Sequence, residues 1–529
     1  MKEKRSTVLG GIAVLTLAGI LVKAIGLFYK IPLTYLLGDE GMGYFNAAYT
    51  IYAWLYMLST AGLPIAVSIL ISEARAREQA NQVARTVRLT GRWLFAIGSV
   101  TSVALLLLSR PLARILGTQD AAYTIAAIAP TLLFVCVTSH FRGVFQGYQN
   151  MVPTAVSQLI EAFGKLGIGM GLAYLGWQRG LGLPVVSALA VLGVTLGTAL
   201  GTLYLAVRYA VAKRRGELAV GQAEEVEHIK IGRRLWAIAL PITVSASVMS
   251  LTGLIDLGMV IRRLGNAGFT VGQATALYGN YTTLVVPMFH LPSVLISPIA
   301  TGIVPALSAA YSAGSREEAA VILGGAYRVS ALLGMPCAVG IAFFAKPILA
   351  LLYPAASVES AYTLLVLIAP AIYFVSVLTV SNAALQGAGN ARLPMVSMVA
   401  GAVVKIAVGY VLLGHPAVAM RGAPIGTALC YAVALVIDLL LVLFRLGYTP
   451  SLGAVIVKPL LSSLLSIGPC ALLYYRVLGE LSPHLGVLIC IALAVILYLL
   501  VSLSCGLVKQ EDLGGVLAHF KRKRRQGQP

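Results

Sequence analysis

Four lysines lie inside long apolar stretches of the chain: Lys23, Lys30, Lys165 and Lys405. A charged side chain at the centre of a bilayer costs about 2.5–3.5 kcal/mol on insertion scales, so each lysine is a candidate functional residue. Lys23 and Lys30 are two helical turns apart and share a helix face, and the apolar stretch around them contains no carboxylate. We therefore predict that the four lysines bind an anionic substrate. An alternative for Lys23 is a structural ion pair. An alternative for Lys30 is that its amine extends to the nearby membrane surface.

One of these lysines has an acidic neighbour. Glu161 lies four residues before Lys165, which is the favourable order for an ion pair within one helix. The alternative to substrate binding is therefore a self-neutralised Glu161–Lys165 pair. Four residues before Lys405 the chain has Gly401, so the same pair is not available there.

Other ionisable residues are secondary candidates. Asp256 lies deep in an apolar stretch, and Arg263 follows on the same helix face. For Asp256 we weigh cation or proton binding equally with an ion pair to a lysine. His290 lies between two prolines and can titrate near neutral pH, although a packed histidine is the alternative. Asp438 lies near the end of its apolar stretch, where we expect it to be interfacial.

Sequence motifs for enzymes are missing. The chain has neither a phosphate-binding Gly-x-x-x-x-Gly-Lys-Ser/Thr loop nor a His-Glu-x-x-His pair. Its six histidines are scattered, and its six cysteines lie in apolar stretches without a Cys-x-x-Cys pair. We predict a protein that is not an enzyme and that needs no metal or cofactor.

The composition indicates a membrane protein. The 529 residues are 59% hydrophobic and 11% charged, whereas soluble domains have roughly 45–50% apolar and about 25% charged residues. This excludes a soluble enzyme, a disordered chain and a collagen-like fibre. The net charge of +20 does not indicate nucleic-acid binding, because the basic residues lie between apolar stretches.

Fourteen apolar stretches are long enough to span a bilayer, and all should be helices because an open sheet edge is not stable in hydrocarbon. With the termini inside, the inner segments contain 27 Lys and Arg and the outer segments 8. This bias predicts cytoplasmic termini. The basic tail is expected to lie against anionic membrane lipids. The stretches are 8–29, 44–72, 86–108, 121–141, 152–176, 183–207, 235–261, 276–304, 321–345, 360–385, 393–414, 420–444, 453–475 and 485–508.

The chain also repeats itself. Matches at an offset of 240 residues include Ile128-Ala129-Pro130 with Ile368-Ala369-Pro370, Gln146-Gly147 with Gln386-Gly387, and Lys165 with Lys405. A repeat of six spans predicts two six-helix lobes related by a pseudo-two-fold axis along the membrane normal, with two extra C-terminal helices. Lys165 and Lys405 would then face this axis, and the paired prolines would kink equivalent helices. The glycine series in 183–207 is expected to allow close helix packing.

The predicted organisation is an all-α polytopic membrane protein with two lobes built for alternating access. Its segments are 1–210 (N-lobe, spans 1–6), 211–233 (basic cytoplasmic linker), 234–445 (C-lobe, spans 7–12), 446–508 (spans 13–14) and 509–529 (basic cytoplasmic tail).

Several motifs resemble a known family. The segment Lys30-Ile31-Pro32-Leu33 to Gly41-Met42-Gly43-Tyr44, the triplet Gly62-Leu63-Pro64 and the Gln-Gly-x-x-Asn turns after the fourth and tenth spans resemble the stage V sporulation protein B branch of the polysaccharide transporters. The resemblance covers nearly the whole chain. It implies the superfamily that also contains lipid II flippases and multidrug and toxin extrusion antiporters.

What the resemblance implies is a flippase in a bacterial cell membrane that moves an undecaprenyl-pyrophosphate-linked saccharide outward. The saccharide would be a peptidoglycan or spore-cortex precursor or another polysaccharide unit. In similar lipid II flippases cations line the N-lobe cavity, and Lys23 falls where the first span places one. Segment 446–508 would form a groove for the lipid tail, and cell-wall synthesis or sporulation proteins are candidate partners. The alternatives are a cation-coupled multidrug antiporter, a membrane polymerase or ligase, and a non-transporting scaffold.

Overall fold

The structure is a computed structural model that describes residues 2–60, 62–218, 228–390 and 392–507. Side chains at 2–17, 23 and 244–252, with further single positions, lie outside this description, so the Lys23 side chain is not placed. The predicted tail 509–529 and residues 219–227 of the predicted linker also lie outside the described residues. All regular secondary structure in the described ranges is helical. The helices pack into two units, Met1–Thr283 and Leu284–Pro529.

The first unit contains helices α1 to α10. Two stretches of wider π-helix continue α6 and α10, at Lys165–Gly169 and Tyr281–Val285. The helices are α1 (Lys2–Thr60), α2 (Leu63–Ala76), α3 (Ala80–Leu116), α4 (Ala121–Ile128), α5 (Thr131–Gly147), α6 (Val152–Gly164), α7 (Met170–Gln178), α8 (Leu183–Arg214), α9 (His228–Asn266) and α10 (Val271–Asn280).

The second unit contains helices α11 to α18. The last long helices, α16 and α18, pack on α12 around Phe344, Tyr474 and Cys490. The helices are α11 (Val286–Ser312), α12 (Arg316–Leu352), α13 (Ala355–Gly387), α14 (Leu393–Leu413), α15 (Gly422–Leu446), α16 (Lys458–Leu473), α17 (Gly479–Leu481) and α18 (Pro483–Ser504).

The predicted apolar stretches coincide with helices. Each of the fourteen overlaps one helix or two consecutive helices. Within the described residues, eleven helical segments are long and apolar enough to cross a membrane, and one of them, Ala24–Arg75, overlaps both of the first two stretches. The all-helical fold is therefore confirmed, whereas the count of fourteen stays a prediction. The predicted lobes 1–210 and 234–445 also stay a prediction, since the packing units divide the chain at 283.

Helix α1 is a hairpin with a one-residue corner. Gly38 has φ 62° and ψ −175° inside an otherwise helical segment. In a straight helix, Lys30 and Asn46 would be about 24 Å apart, but their side chains are hydrogen-bonded at 3.2 Å. The limbs 2–37 and 39–60 therefore fold back on each other, and glycine tolerates this backbone conformation because it has no Cβ.

Glycines also bring α6 and α8 together, as the sequence predicted. A Cβ built on Gly164 would lie 2.6 Å from the Cα of Gly197. About one turn further along, a Cβ built on Gly193 would collide with the Cα of Gly169. Backbones this close leave no room for larger side chains. This crossing fixes the position of the π-helical stretch that begins at Lys165.

The internal repeat is visible in the packing of each unit. Gly147, at the end of α5, packs against Ile71 of α2, and a Cβ there would lie 2.8 Å from the Ile71 Cβ. Gly387, 240 residues later at the end of α13, packs against Leu307 of α11 with an equivalent distance of 2.9 Å. The following turn repeats as well, because Gln149 and Gly389 both have positive φ values, of 60° and 80°.

The expectation of equivalent proline kinks stays a prediction. Ala129 and Pro130 lie between α4 and α5, and both keep helical φ and ψ angles. The equivalent Pro370 lies inside α13.

Candidate functional site

A cavity of about 560 Å³ lies inside the first unit, between the two limbs of α1, helix α6 and helix α8. Ligand pockets are typically about 300–1,000 Å³, so the space can hold part of a small molecule. The polar groups of its lining are four tyrosines together with Gln158, Glu161, Lys165 and Thr198. The cavity exists because the corner at Gly38 turns both limbs of α1 towards α6.

Aromatic rings form one wall of the cavity. Tyr49, Tyr52 and Tyr56 lie on one face of the second α1 limb, and neighbouring ring centroids are 5.6 and 5.5 Å apart. Their spacing of three and four residues places them on one helix face. Tyr29 faces them from the first limb, and its hydroxyl donates to the carbonyl oxygen of Ala190 at 3.3 Å. The wall therefore offers large apolar faces with phenolic hydroxyl groups.

Lys165 brings a positive charge to this wall. Its Nζ lies 4.5 Å from the ring centroid of Tyr49 and 5.2 Å from that of Tyr29. Cation–π contacts of this kind contribute about 0.5–2 kcal/mol, which offsets part of the cost of the buried charge. Lys165 begins the π-helical stretch, and such wide turns often occur at functional sites. Within the described part of the chain, no carboxylate lies within ion-pair distance of the Lys165 amine.

Glu161 is neutralised by a different partner from the one the sequence suggested. Its Oε1 lies 2.8 Å from Nη2 of Arg142, a buried residue of α5. The same guanidinium donates to the hydroxyl oxygen of Ser157 from Nε at 3.0 Å and from Nη2 at 2.9 Å. The Glu161–Lys165 pair is therefore not formed, and the Lys165 amine lies against aromatic rings in place of a carboxylate.

Sequence reasoning missed Arg142 because it counted this residue among the charges of an inner segment. Helix α5 extends to Gly147, six residues beyond the predicted end of the fourth stretch at 141. The sequence does contain a signal for it, which is the turn at Gln146-Gly147. If the helix continues up to this turn, Arg142 belongs to its last turns and lies beside the neighbouring helices.

Lys30 lies near the cavity but does not line it. Its Nζ donates to the side-chain oxygen of Asn46 and to the carbonyl oxygen of Thr282, both at 3.2 Å. An ammonium group has three N–H donors, and two of these are directed at protein oxygens. This geometry does not favour an amine that extends to the membrane surface. Lys30 and Lys165 interact electrostatically, so two basic side chains lie in this region.

The other predicted residues are not part of this cavity. Lys405 lies in α14 and is half-buried, whereas His290 is exposed and contacts the Phe289 ring at 4.8 Å between centroids. Asp256 and Arg263 lie on α9 and each makes at least one contact. A role of Lys405 and Lys23 in substrate binding stays a prediction. The same holds for the cation-binding or ion-pair role of Asp256 and Arg263 and for titration of His290.

Comparisons with known proteins agree with the fold. A family model described as polysaccharide biosynthesis protein matches residues 8–311, and a second model, described as MatE, matches residues 241–411. Among solved structures, one described as lipid II flippase MurJ in an inward closed conformation has a TM-score of 0.69 at 15% identity. It covers 93% of this chain and 98% of its own. An inward-facing multidrug resistance MATE family transporter of the MOP superfamily has a TM-score of 0.66 at 15% identity, with 80% and 94% covered.

Three relatives from Bacillus subtilis (strain 168) have similar sequences. The uncharacterized membrane protein YabM is 25% identical over 535 residues, covering 99% of this chain and 98% of its own. Stage V sporulation protein B is 26% identical, with 79% and 80% covered, and lipid II flippase MurJ is 25% identical, with 84% of each covered.

The resemblance seen in the sequence motifs is therefore confirmed. The first family model covers more than half of the chain, and the apolar helices and the relatives both indicate a multi-pass membrane protein. The chain belongs to the polysaccharide biosynthesis protein family.

Proposed function

We propose that this protein is a flippase that exports an undecaprenyl-pyrophosphate-linked saccharide across the bacterial cell membrane. The observation that carries the proposal is the tyrosine-lined cavity with the Lys165 amine in its wall. Lys165 has no carboxylate within ion-pair distance among the described residues, while the acidic group of the cavity is paired with Arg142. A pyrophosphate would supply the negative charge that this arrangement lacks.

The charge balance favours an anion over a cationic drug. Arg142 cancels Glu161, and the remaining ionisable groups near the cavity, Lys165 and Lys30, are basic and not acidic. A hydrogen bond from a charged donor contributes about 1.5–3 kcal/mol. In addition, an inside-negative membrane potential favours outward movement of an anion by about 2.3 kcal/mol per charge per 100 mV. Export could therefore proceed without ATP.

The remaining expectations form part of the same proposal. Lys23 and Lys30 contribute further positive charge, and Lys405 serves the second lobe in the way that Lys165 serves the first. Segment 446–508 receives the lipid tail, both termini are cytoplasmic, and the basic tail contacts anionic lipids. The relatives named stage V sporulation protein B and lipid II flippase support a peptidoglycan or spore-cortex precursor as the saccharide, with cell-wall or sporulation proteins as partners.

The test is transport by the full-length protein in liposomes. A fluorescent undecaprenyl-pyrophosphate glycopeptide is followed across the bilayer with and without an inside-negative potential. We expect Lys165→Met to slow transport at least tenfold, since the loss of about 1.5 kcal/mol corresponds to a factor of ten. Lys165→Arg should retain most of it. The matched control is Lys346→Met, which removes the same charge from an exposed lysine paired with Glu359 at 2.7 Å.

Different outcomes point to different functions. If the glycopeptide does not cross faster than in empty liposomes, the flippase proposal is wrong for this substrate. Efflux of a cationic dye driven by a sodium or proton gradient would then identify a multidrug antiporter. A scaffold is the better explanation if no compound moves and a variant with every intramembrane lysine replaced still supports cell-wall assembly.

A further inference from the structure

Helix α12 contains two prolines, Pro336 and Pro347. A proline has no N–H, so inside an α-helix the carbonyl oxygen four residues before it loses its usual hydrogen-bond donor. In α12 these are the carbonyl oxygens of Leu332 and Phe343. Hydrocarbon offers no water to such a group, so a neighbouring helix has to supply the missing donor.

Tyrosines from the end of the chain donate to both of these oxygens. Residues 453–504, which contain α16 and α18, form a C-terminal helix pair that packs on α12. The hydroxyl of Tyr498, in α18, lies 2.9 Å from the carbonyl oxygen of Leu332. The hydroxyl of Tyr475, just after α16, lies 3.0 Å from the carbonyl oxygen of Phe343. Each hydroxyl therefore replaces the N–H that a proline has removed from α12.

The same arrangement occurs once more in the opposite direction. Pro459 lies at the start of α16, and the carbonyl oxygen four residues before it is that of Val455. The hydroxyl of Tyr373, in α13, donates to this oxygen at 2.9 Å, and the bond is buried. Here the proline belongs to the C-terminal helix pair and the tyrosine belongs to the helices on which the pair packs.

Apolar packing closes the contact around the second proline of α12. Phe344 departs from helical geometry, with φ −108° and ψ 17°, three residues before Pro347. Its buried ring lies 6.0 Å from the ring of Tyr474, in an edge-to-face arrangement. Cys490 of α18 belongs to the same buried cluster. The C-terminal helix pair therefore fills the distortion that accompanies the proline.

The internal repeat links these prolines to the presence of the C-terminal helix pair. Helices α3 and α12 both have 37 residues and begin 236 residues apart. At this offset Pro111 corresponds to Pro347, whereas Val100 corresponds to Pro336. Val100 is 69% exposed, but Pro336 is half-buried. The second unit therefore has an additional proline at the level where α18 supplies a hydroxyl group.

We propose that Tyr373, Tyr475 and Tyr498 are positioning residues that hold the C-terminal helix pair against α12 and α13, so that these helices move as one rigid body. The carbonyl groups of Leu332 and Phe343 are 11 residues apart, or about 16 Å along α12. Bonds at separate levels oppose a rotation of the pair on α12, which a single bond would allow. The prolines of α12 therefore do not act as free hinges.

The proposal does not depend on the flippase function, and its first test measures the unfolding midpoint of the full-length protein in detergent. Tyr498→Phe and Tyr475→Phe each remove one hydroxyl group and should lower the midpoint. The matched control Tyr123→Phe changes a ring that is 57% exposed and should leave it unchanged. Pro336→Ala restores an N–H for the Leu332 oxygen, so Tyr498→Phe should lower the midpoint much less in that background. An equal shift in both backgrounds would overturn the pairing of tyrosine and proline.

The second test measures rigidity. Spin labels are placed on cysteines introduced at Val321 in α12 and Leu503 in α18, which are 72% and 40% exposed, in a chain whose six native cysteines are replaced by serine. Pulsed electron spin resonance in liposomes should give one narrow distance distribution. Combining Tyr475→Phe with Tyr498→Phe should broaden it, whereas Tyr123→Phe should not. A broad distribution with the tyrosines in place, or a width that the double change leaves unaltered, would overturn the proposal.

Amide hydrogen exchange tests the same point without labels or cysteine replacement. In the variant that combines Tyr475→Phe with Tyr498→Phe, peptides from 453–504 should exchange faster than in the wild type, because the pair is held less firmly. Peptides from α1 to α8 should exchange as before. Unchanged exchange in 453–504, or an equal rise in every helix, would contradict a positioning role for these hydroxyl groups.

Discussion

The amine of Lys30 lies 3.2 Å from the side-chain oxygen of Asn46, although 16 residues separate them along α1. This contact joins the two limbs of the hairpin across the Gly38 corner. It holds the amine of the half-buried Lys30 between the two limbs. The cavity and its tyrosine wall depend on this fold.

The first prediction concerns the corner. Gly38→Ala should destabilise the protein by about 1–3 kcal/mol, because φ 62° with ψ −175° is a region essentially restricted to glycine. The measurement is the unfolding midpoint in detergent. Gly171→Ala is the matched control, since this helical glycine has open space around it, and it should be neutral or stabilising. An unchanged midpoint for Gly38→Ala would mean that the corner does not need glycine.

The second prediction concerns the contact between Lys165 and Tyr49. Tyr49→Phe keeps the ring under the amine at 4.5 Å and should keep most transport activity. Tyr49→Leu removes the ring and should reduce transport roughly threefold to thirtyfold, corresponding to about 0.5–2 kcal/mol. Both variants are measured in the liposome assay with the glycopeptide. Equal loss in both would show that the hydroxyl matters and the ring does not.

The third prediction concerns the buried pair of Arg142 and Glu161. Arg142→Met should reduce the free energy of unfolding by about 3–5 kcal/mol, because it leaves Glu161 buried without its partner. Adding Glu161→Gln should restore most of this loss. A double-mutant cycle of unfolding free energies measures the coupling between the two residues. Additive effects of the two single changes would contradict a direct pair.

The fourth prediction uses the repeated turns. Gln149 has φ 60°, a conformation that costs a non-glycine residue about 1–2 kcal/mol, whereas the equivalent Gly389 adopts φ 80° without strain. Gln149→Gly should raise the unfolding midpoint, and Gly389→Gln should lower it. A Cβ at Gly389 would meet no atom within 4 Å, so the second change isolates backbone strain. Shifts of the same sign in both variants would contradict this explanation.

Hydropathy was sufficient to find the helices, because length and apolarity alone define a segment that suits a bilayer. The repeat and the glycine crossing of α6 on α8 were also readable, since both depend on residue identity at fixed spacing. The partners of charged residues were not. Glu161 pairs with Arg142 on another helix and not with Lys165 on its own, and only tertiary packing decides between the two.

The burial of Asp438 was missed for a related reason. Its position near the end of an apolar stretch suggested an interfacial residue, but α13 and α14 pack against α15 and Asp438 is buried. Sequence position gives depth along one helix, whereas exposure depends on its neighbours.

The one-residue corner at Gly38 also has a consequence for how the sidedness of the chain can be mapped. A loop of several residues between two helices can be cut by a protease or can carry an inserted epitope tag, and these are the usual means of mapping sidedness. Between the limbs of α1 there is no such loop, so an insertion after Gly38 should disrupt the hairpin without reporting its location.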